Sequence, residues 1–425
     1  MILSISGIFI SMALFVFLSM KKWNVALVSI LASLLLMLFN SVDPTIGFSG
    51  AFSKGLGAFA SKWWLMFALG AIFGKVMQDN GTSAKIAAML ISRLRCNAIF
   101  AVLLISLIMS YGGISTFVIA FTVYPIASEL FQKAEIDTAL MPAVMIFCPT
   151  TLAMTMLPGT PSVQNIIPTT YLNTDIYAAP LLGLFASAIT FLLGYTYLKH
   201  VANIKKEVSH TEPAKEEFHI KELLCFMPCV LLWVIAFVLI NLKVDSQTAV
   251  ELALVFGIIS SIIIGDKKSD ILNSLNEGIQ NGLKTLIITS LIMGYGSLVI
   301  SMESFSLITD RLYSIFDNEI IASIFAVNII AALTGSSTTS LQMLFNAFSE
   351  RLTTSSLPAP AVHRIITIAS GGMDSMPYAT GVVVANDLAH TEQSKTYKHI
   401  FITCAIIPLL SLILTVIACY MFCKF

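Results

Sequence analysis

The stretch MTMLPGTPSVQN, residues 154–165, breaks into a chain that is 57% hydrophobic and 11% charged. Two prolines, a glycine, three hydroxyls and two side-chain amides stand where a membrane helix would otherwise continue. In hydrocarbon, an unpaired backbone N–H or C=O costs several kcal/mol, so non-helical backbone is tolerated only where protein or a polar cavity covers it. Pro158 and Pro161 each remove a donor and clash with the preceding turn. Gly159 accepts the resulting backbone, and Thr160, Ser162, Gln164 and Asn165 are expected to line the opening.

Outward from this stretch, apolar runs of about 17–25 residues, the length that spans a bilayer core, recur from end to end. They lie near 2–20, 23–40, 63–78 and 176–199, then near 223–242, 248–265, 285–302 and 400–423. Soluble proteins carry roughly 25% charged residues, so a water-soluble fold is excluded. The N-terminal run has its Lys21 and Lys22 after the apolar core, the reverse of a cleaved signal peptide, and reads as a retained helix. Net charge is zero, which argues against a nucleic-acid partner. The seven cysteines fall mostly within apolar runs and read as small buried hydrophobes, with no clustered zinc ligands. GAIFGKV at Gly70 has the wrong spacing for a phosphate loop.

The pattern repeats at an offset of about 220 residues. Residues 1–199 form a first unit, 200–222 a charged linker, and 223–425 a second unit. Each has an interrupted helix, 138–170 and 362–388, the second broken at SGGMDSMPYATG. Each also has two short apolar arms about a small polar tip, 98–131 and 319–350. The tips carry Gly112, Gly113, Ser115 and Thr116 in the first unit, and Gly335, Ser336, Ser337 and Thr338 in the second. The expected fold is an all-α polytopic membrane protein. It has two inverted-topology repeats, each of about five spanning helices plus a re-entrant hairpin, with discontinuous helices at the midplane. Sixteen of the Lys and Arg residues then fall on one side and only Lys54, Lys62, Lys243, Arg311, Arg351 and Lys424 on the other. By the positive-inside rule the linker is cytoplasmic and both termini lie outside.

Inverted repeats whose discontinuous helices meet at a central site are the design of secondary transporters. Helix N-termini there attract anions, while loose carbonyls and hydroxyls hold cations. The second break supplies Gly371, Gly372, Asp374, Ser375 and Tyr378. A carboxylate at membrane depth is functional by default, so Asp374 is the candidate for carrying a proton or holding a cation. Arg364 either draws an anion or snorkels to the outer interface; the sequence leaves both open. Lys75 and Asp79, four apart on a helix, read as a self-satisfied pair.

AIFGKVMQDNG (71–81), MLPGTPSVQNIIPTTY (156–171), YAAPLLGL (177–184) and HRIITIASGGMDSMP (363–377) resemble the gluconate permease family of the ion-transporter superfamily. The LPGTP-x-x-Q-N form is similar to the branch for short-chain carboxylates and hydroxy acids. The resemblance implies an inner-membrane symporter for a small organic anion, coupled to a cation, usually H+, without a resident cofactor, and a homodimer. Where such proteins commonly carry a His after Asp-x-x-Pro, this chain has Tyr378. A cation/proton antiporter and a Na+-coupled carboxylate symporter are the alternatives. An intramembrane enzyme would need a nucleophile–base pair or metal ligands, and His363 is the only histidine near the core.

Overall fold

The computed structural model describes residues 2–21, 23–83, 85–86, 89, 97–111, 116–160, 162–202, 224–242, 244, 246–265, 270–313, 316 and 318–422. Among them there is no strand. The 200–222 linker and three of the first tip's residues, Gly112, Gly113 and Ser115, lie mostly or wholly outside the described set, as does Pro161.

The helices follow the apolar runs. The first unit has α1 (Ile2–Met20), α2 (Val25–Phe39), the short α3 (Pro44–Gly47) and α4 (Ser53–Asp79). Then come α5 (Ala98–Tyr111), α6 (Thr116–Lys133), α7 (Met141–Phe147), α8 (Val163–Leu172) and α9 (Pro180–Val201). The second unit has α10 (Met227–Asn241), α11 (Ser246–Ile264), α12 (Ile271–Ser301), α13 (Glu303–Tyr313), α14 (Glu319–Thr334) and α15 (Ser337–Thr353). It ends with α16 (Ala359–Ser370), α17 (Thr380–Leu388), α18 (Gln393–Phe401) and α19 (Ile407–Phe422), the last two joined through a wide turn at Ile402–Ile406.

Among the described residues, six helical segments are long and apolar enough to cross a membrane, and five shorter apolar helices accompany them. Large apolar side chains point outward from them, among them Leu181 at 80%, Ile263 at 76% and Leu38 at 74% exposure. A surface so apolar is a lipid-facing one, and the chain is a polytopic membrane protein.

Three helices run further than the apolar windows predict. α4 starts at residue 53 rather than 63, α12 at 271 rather than 285, and the last span at 393 rather than 400. Lys54, Lys62, Glu277, Lys284, Lys395 and Lys398 break the hydropathy there without breaking the backbone ladder. α4 and α12 pack closely because α12 carries GIQNG, residues 278–282, with glycines four apart on one face. A Cβ on Gly278 would stand 2.7 Å from Ile72 Cα, and one on Gly282 2.5 Å from the Phe67 carbonyl. Small residues at this spacing let helix backbones approach in a membrane.

The Lys75–Asp79 pair forms at 3.1 Å and extends across this contact. Lys75 also reaches Glu277 at 2.9 Å, and Ser274 donates to Asp79 at 2.7 Å.

In contrast to the lipid-facing helices, the span Thr138–Met156 is 89% buried. It is wrapped by protein where the chain is about to lose its helical ladder.

Candidate functional site

The first break lies where the prolines require it. α7 widens into a π-helical turn at Cys148–Met156, and Leu157 is extended at φ −67°, ψ 129°. Gly159 takes φ +81°, a conformation costly for any residue with a Cβ, and its N–H donates to the Ile176 carbonyl at 2.9 Å. Ser162 then caps α8. Its Oγ accepts from the Asn165 N–H at 3.2 Å and donates to the Met154 carbonyl at 2.8 Å. Thr160 donates to the Leu157 carbonyl at 3.2 Å.

The side chains expected to line an opening mostly hold this break together. Asn165 Nδ2 donates to the Thr160 and Ile176 carbonyls at 3.0 and 2.9 Å. Its Oδ1 is therefore the acceptor facing His363 Nε2 at 3.2 Å. That contact assigns the proton to Nε2 and leaves Nδ1 to accept from Thr174 Oγ1 at 2.7 Å.

Arg364 is fully buried and neither snorkels nor extends toward an open face. Its Nε and Nη2 donate to the Ala178 carbonyl at 3.1 and 3.0 Å, Nη2 to Ile176 at 3.2 Å and Nη1 to Met156 at 3.3 Å. The guanidinium fork thus caps the carbonyl end of the first half-helix and pins it to the 173–179 loop. No carboxylate among the described residues pairs with it, so its positive charge is balanced only by carbonyl dipoles.

At the second break α16 stops at Ser370, with the Gly371 and Gly372 N–H groups folding back onto Ile368 and Ala369 at 3.2 and 3.1 Å. Residues 371–379 are not helical. Asp374 is buried at 6% exposure. Ser375 Oγ donates to its Oδ1 at 3.0 Å, and the Ser337 hydroxyl faces the same carboxylate. Here much of the polar backbone has no partner. The carbonyls of residues 371–375 accept no hydrogen bond among the described residues. Ala379, the N-cap of α17, offers no side-chain cap, and the N–H groups of Thr380, Gly381 and Val382 are likewise unmatched among the described residues.

The two breaks touch. A Cβ on Gly371 would stand 2.9 Å from Thr155 Cγ2 and 3.0 Å from its Oγ1. Both tips reach in as well. Gln164 Nε2 donates to Ser337 and Thr338 at 3.1 and 2.9 Å, tying α8 to the start of α15. Gly335, at φ +62°, packs against Ala379 Cα. The Tyr378 hydroxyl, buried against Phe15 and Tyr295, donates to the Ala332 carbonyl. Ser336 caps α15. From the first tip, Tyr111 donates to the Pro158 carbonyl at 3.3 Å, and Thr116 Cγ2 lies 4.0 Å from where a Gly381 Cβ would be.

Two contributors escaped the sequence reading, and a third was noted without its role. Thr174 braces the first break through His363, and Asn328 of α14 faces Gly372 at the second. A lone Asn inside FAVNIIAAL was the available signal, since an amide is costly at membrane depth.

The model for the GntP family permease matches residues 3–243. The "Uncharacterized transporter YxjC" of Bacillus subtilis (strain 168) is 29% identical over 446 aligned positions, covering 93% of this chain and 94% of that protein. With more than half the chain matched by the family model, and a transporter relative along nearly its full length, this membrane protein belongs to the GntP permease family.

Proposed function

We propose that the protein is a secondary active transporter that carries a small organic anion, a hydroxycarboxylate or short-chain monocarboxylate, together with a cation. The observation that carries this reading is the contact of both tips with a break whose carbonyls and N–H groups are unmatched. Oxygens without donors at residues 371–375 suit a cation beside Asp374. Uncapped N–H groups at the start of α17 suit a carboxylate, since a helix N-terminus favours negative charge. Thr116 and Ser337 reach this break from the two tips, and the charge on Arg364, unpaired by any carboxylate among the described residues, adds a positive potential from the neighbouring break.

Holding cation and anion at one break makes each the partner of the other, which is what symport requires. Closure then moves the tips and broken helices against α1, α2, α10 and α11. H+ is the coupling ion that the family resemblance implies. Na+ is the second reading, supported by Tyr378: where a titratable His is common, this hydroxyl is committed to the Ala332 carbonyl. The inverted repeat, the cytoplasmic linker, the outside termini and an inner-membrane location belong to the same proposal and rest on the Lys/Arg distribution.

The test is uptake of gluconate, lactate, glycerate, 3-hydroxybutyrate and citrate into proteoliposomes under separate pH and Na+ gradients. Concentrative uptake of at least one anion is expected. Na+/H+ exchange in vesicles without organic anion, and no anion uptake under either gradient, would point instead to an antiporter.

A further inference from the structure

The second break holds an atom for which the fold provides no partner. Asn328, in the middle of α14, is 9% exposed. Its Nδ2 donates to the Ile324 carbonyl at 2.9 Å, which fixes the amide orientation, because the flipped amide would set Oδ1 against that carbonyl oxygen. Oδ1 therefore faces Gly372, with no room for a Cβ between them, and it has no hydrogen-bond partner among the described residues. Buried polar atoms are nearly always paired, and an exception asks for an explanation.

Its surroundings supply one. Gly372 lies within the run of carbonyls without donors, residues 371–375, and the Asp374 carboxylate and the Ser375 hydroxyl follow two and three residues on. The set is oxygen throughout and carries one negative charge. A proton would occupy Asp374 alone and leave the Asn328 amide oxygen and the loose carbonyls unmatched. A divalent ion would meet a single carboxylate, and no group of three or more His, Cys, Asp or Glu side chains is assembled for a metal among the described residues. A hard monovalent cation stripped of water is the ligand that such oxygens replace hydration for.

We propose that the second break binds an alkali-metal cation through Asp374, Ser375, the carbonyls of residues 371–375 and Asn328 Oδ1. Asn328 is the ligand supplied from the arm of the second hairpin. This names the coupling ion of the function proposed above, and only its transport arm rests on that reading. Because α14 ends at Gly335 and α15 starts with the Ser337 and Thr338 hydroxyls that hold Gln164, the cation fastens the second tip to both breaks at once.

The experiment uses the purified full-length chain in Na+- and K+-free choline buffer, with NaCl or KCl replacing choline chloride at constant ionic strength. A saturable rise in thermal unfolding temperature with Na+ or K+ is expected. N328L is expected to shift its midpoint concentration upward about tenfold or more, the worth of one hydrogen-bond-strength contact to a charge, and D374N to abolish the response. No response beyond choline, or the same midpoint in N328L and the parent chain, overturns the site. Should N328L not fold, N328D decides, since it keeps an oxygen in place and must bind the cation at least as tightly as the parent; weaker binding overturns the site.

In proteoliposomes at equal pH on both sides, an inward gradient of the same cation is expected to drive anion uptake. If no anion moves under any gradient while the cation still stabilises the chain, the transport reading falls and the site stands. If uptake follows a pH gradient in choline medium, with no effect of Na+ or K+ on uptake or unfolding, the site falls and the transport reading stands.

Discussion

The contact between the two breaks is a steric statement that one substitution pair examines directly. In G371A the new Cβ lands 2.9 Å from Thr155 Cγ2 and 3.0 Å from Thr155 Oγ1, whereas carbon contacts settle at about 3.5–4.0 Å. Thr155 is 1% exposed and sits in the wide turn ahead of the first break, so neither side has free room to yield. Overpacking of this kind costs about 1–3 kcal/mol. T155A removes both offending atoms and gives up the Thr155 hydroxyl's bond to the Thr151 carbonyl at 2.8 Å, about 0.5–1.5 kcal/mol. The double variant G371A/T155A is therefore expected to be about as stable as T155A alone, a favourable coupling equal to the G371A cost, about 1–3 kcal/mol. Unfolding of the detergent-purified chain under increasing SDS, read by tryptophan fluorescence, gives the four stabilities, and uptake in proteoliposomes follows the same order. If the two single effects simply add, to within about 0.5 kcal/mol, the breaks are not in contact and the site as drawn is wrong.

D374N, which removes the one carboxylate at the second break, is expected to abolish gradient-driven accumulation while leaving a folded, monodisperse protein; normal concentrative uptake would remove Asp374 from coupling. R364M leaves the buried Met156 and Ala178 carbonyls without donors, each costing about 1–3 kcal/mol, so it is expected to unfold at lower temperature and lose uptake. R364K retains the charge and one of the contacts and should fall between R364M and the parent; R364M behaving as the parent in both measurements would refute the clamp. Q164L breaks the hydrogen bonds from α8 to the Ser337 and Thr338 hydroxyls of the second tip. A transport rate reduced about tenfold at unchanged fold is expected, and initial-rate uptake measures it; an unaltered rate would mean that the tip does not depend on this link.

The breaks were legible because they are written in backbone chemistry. Pro158 beside Gly159, and Gly371, Gly372 and Pro377 within seven residues, weaken a helix together where isolated ones such as Pro125, Pro168 and Gly278 are absorbed, so local sequence sufficed. The helix extents at 53–62 and 271–284 were less legible, since hydropathy reports solvation and these charged turns remain helical while leaving the apolar layer. Side-chain destinations were the least legible. Arg364 reaches carbonyls 186 and 208 positions away, and nothing in HRIITIAS says whether the guanidinium meets a ligand, a headgroup or a backbone. Ser162 and Asn165 were read as open to a cavity because they are polar, yet at a break the nearest unmet hydrogen bonds belong to the chain itself. Asn328 escaped for the converse reason: it stands in an apolar run with no glycine or proline to mark it.

These assignments make the two breaks unequal. Both stop a helix with glycine or proline and restart it within about a turn or two, but their polar groups end differently. At the first, Ser162 takes the Asn165 N–H, Asn165 takes the Thr160 carbonyl, Arg364 takes Met156, and Gly159 takes Ile176. A segment so fully matched gains little from a ligand, because any new contact must replace an existing one of similar worth. At the second, Ala379 stands where Ser162 stood and cannot cap, and no arginine meets the carbonyls of 371–375. A ligand there adds contacts without removing any, so binding energy is available to change the fold's preference between states. On this reasoning the first break is the rigid abutment and the second is where solute binding becomes movement, even though LPGTP is the more conspicuous stretch in the sequence.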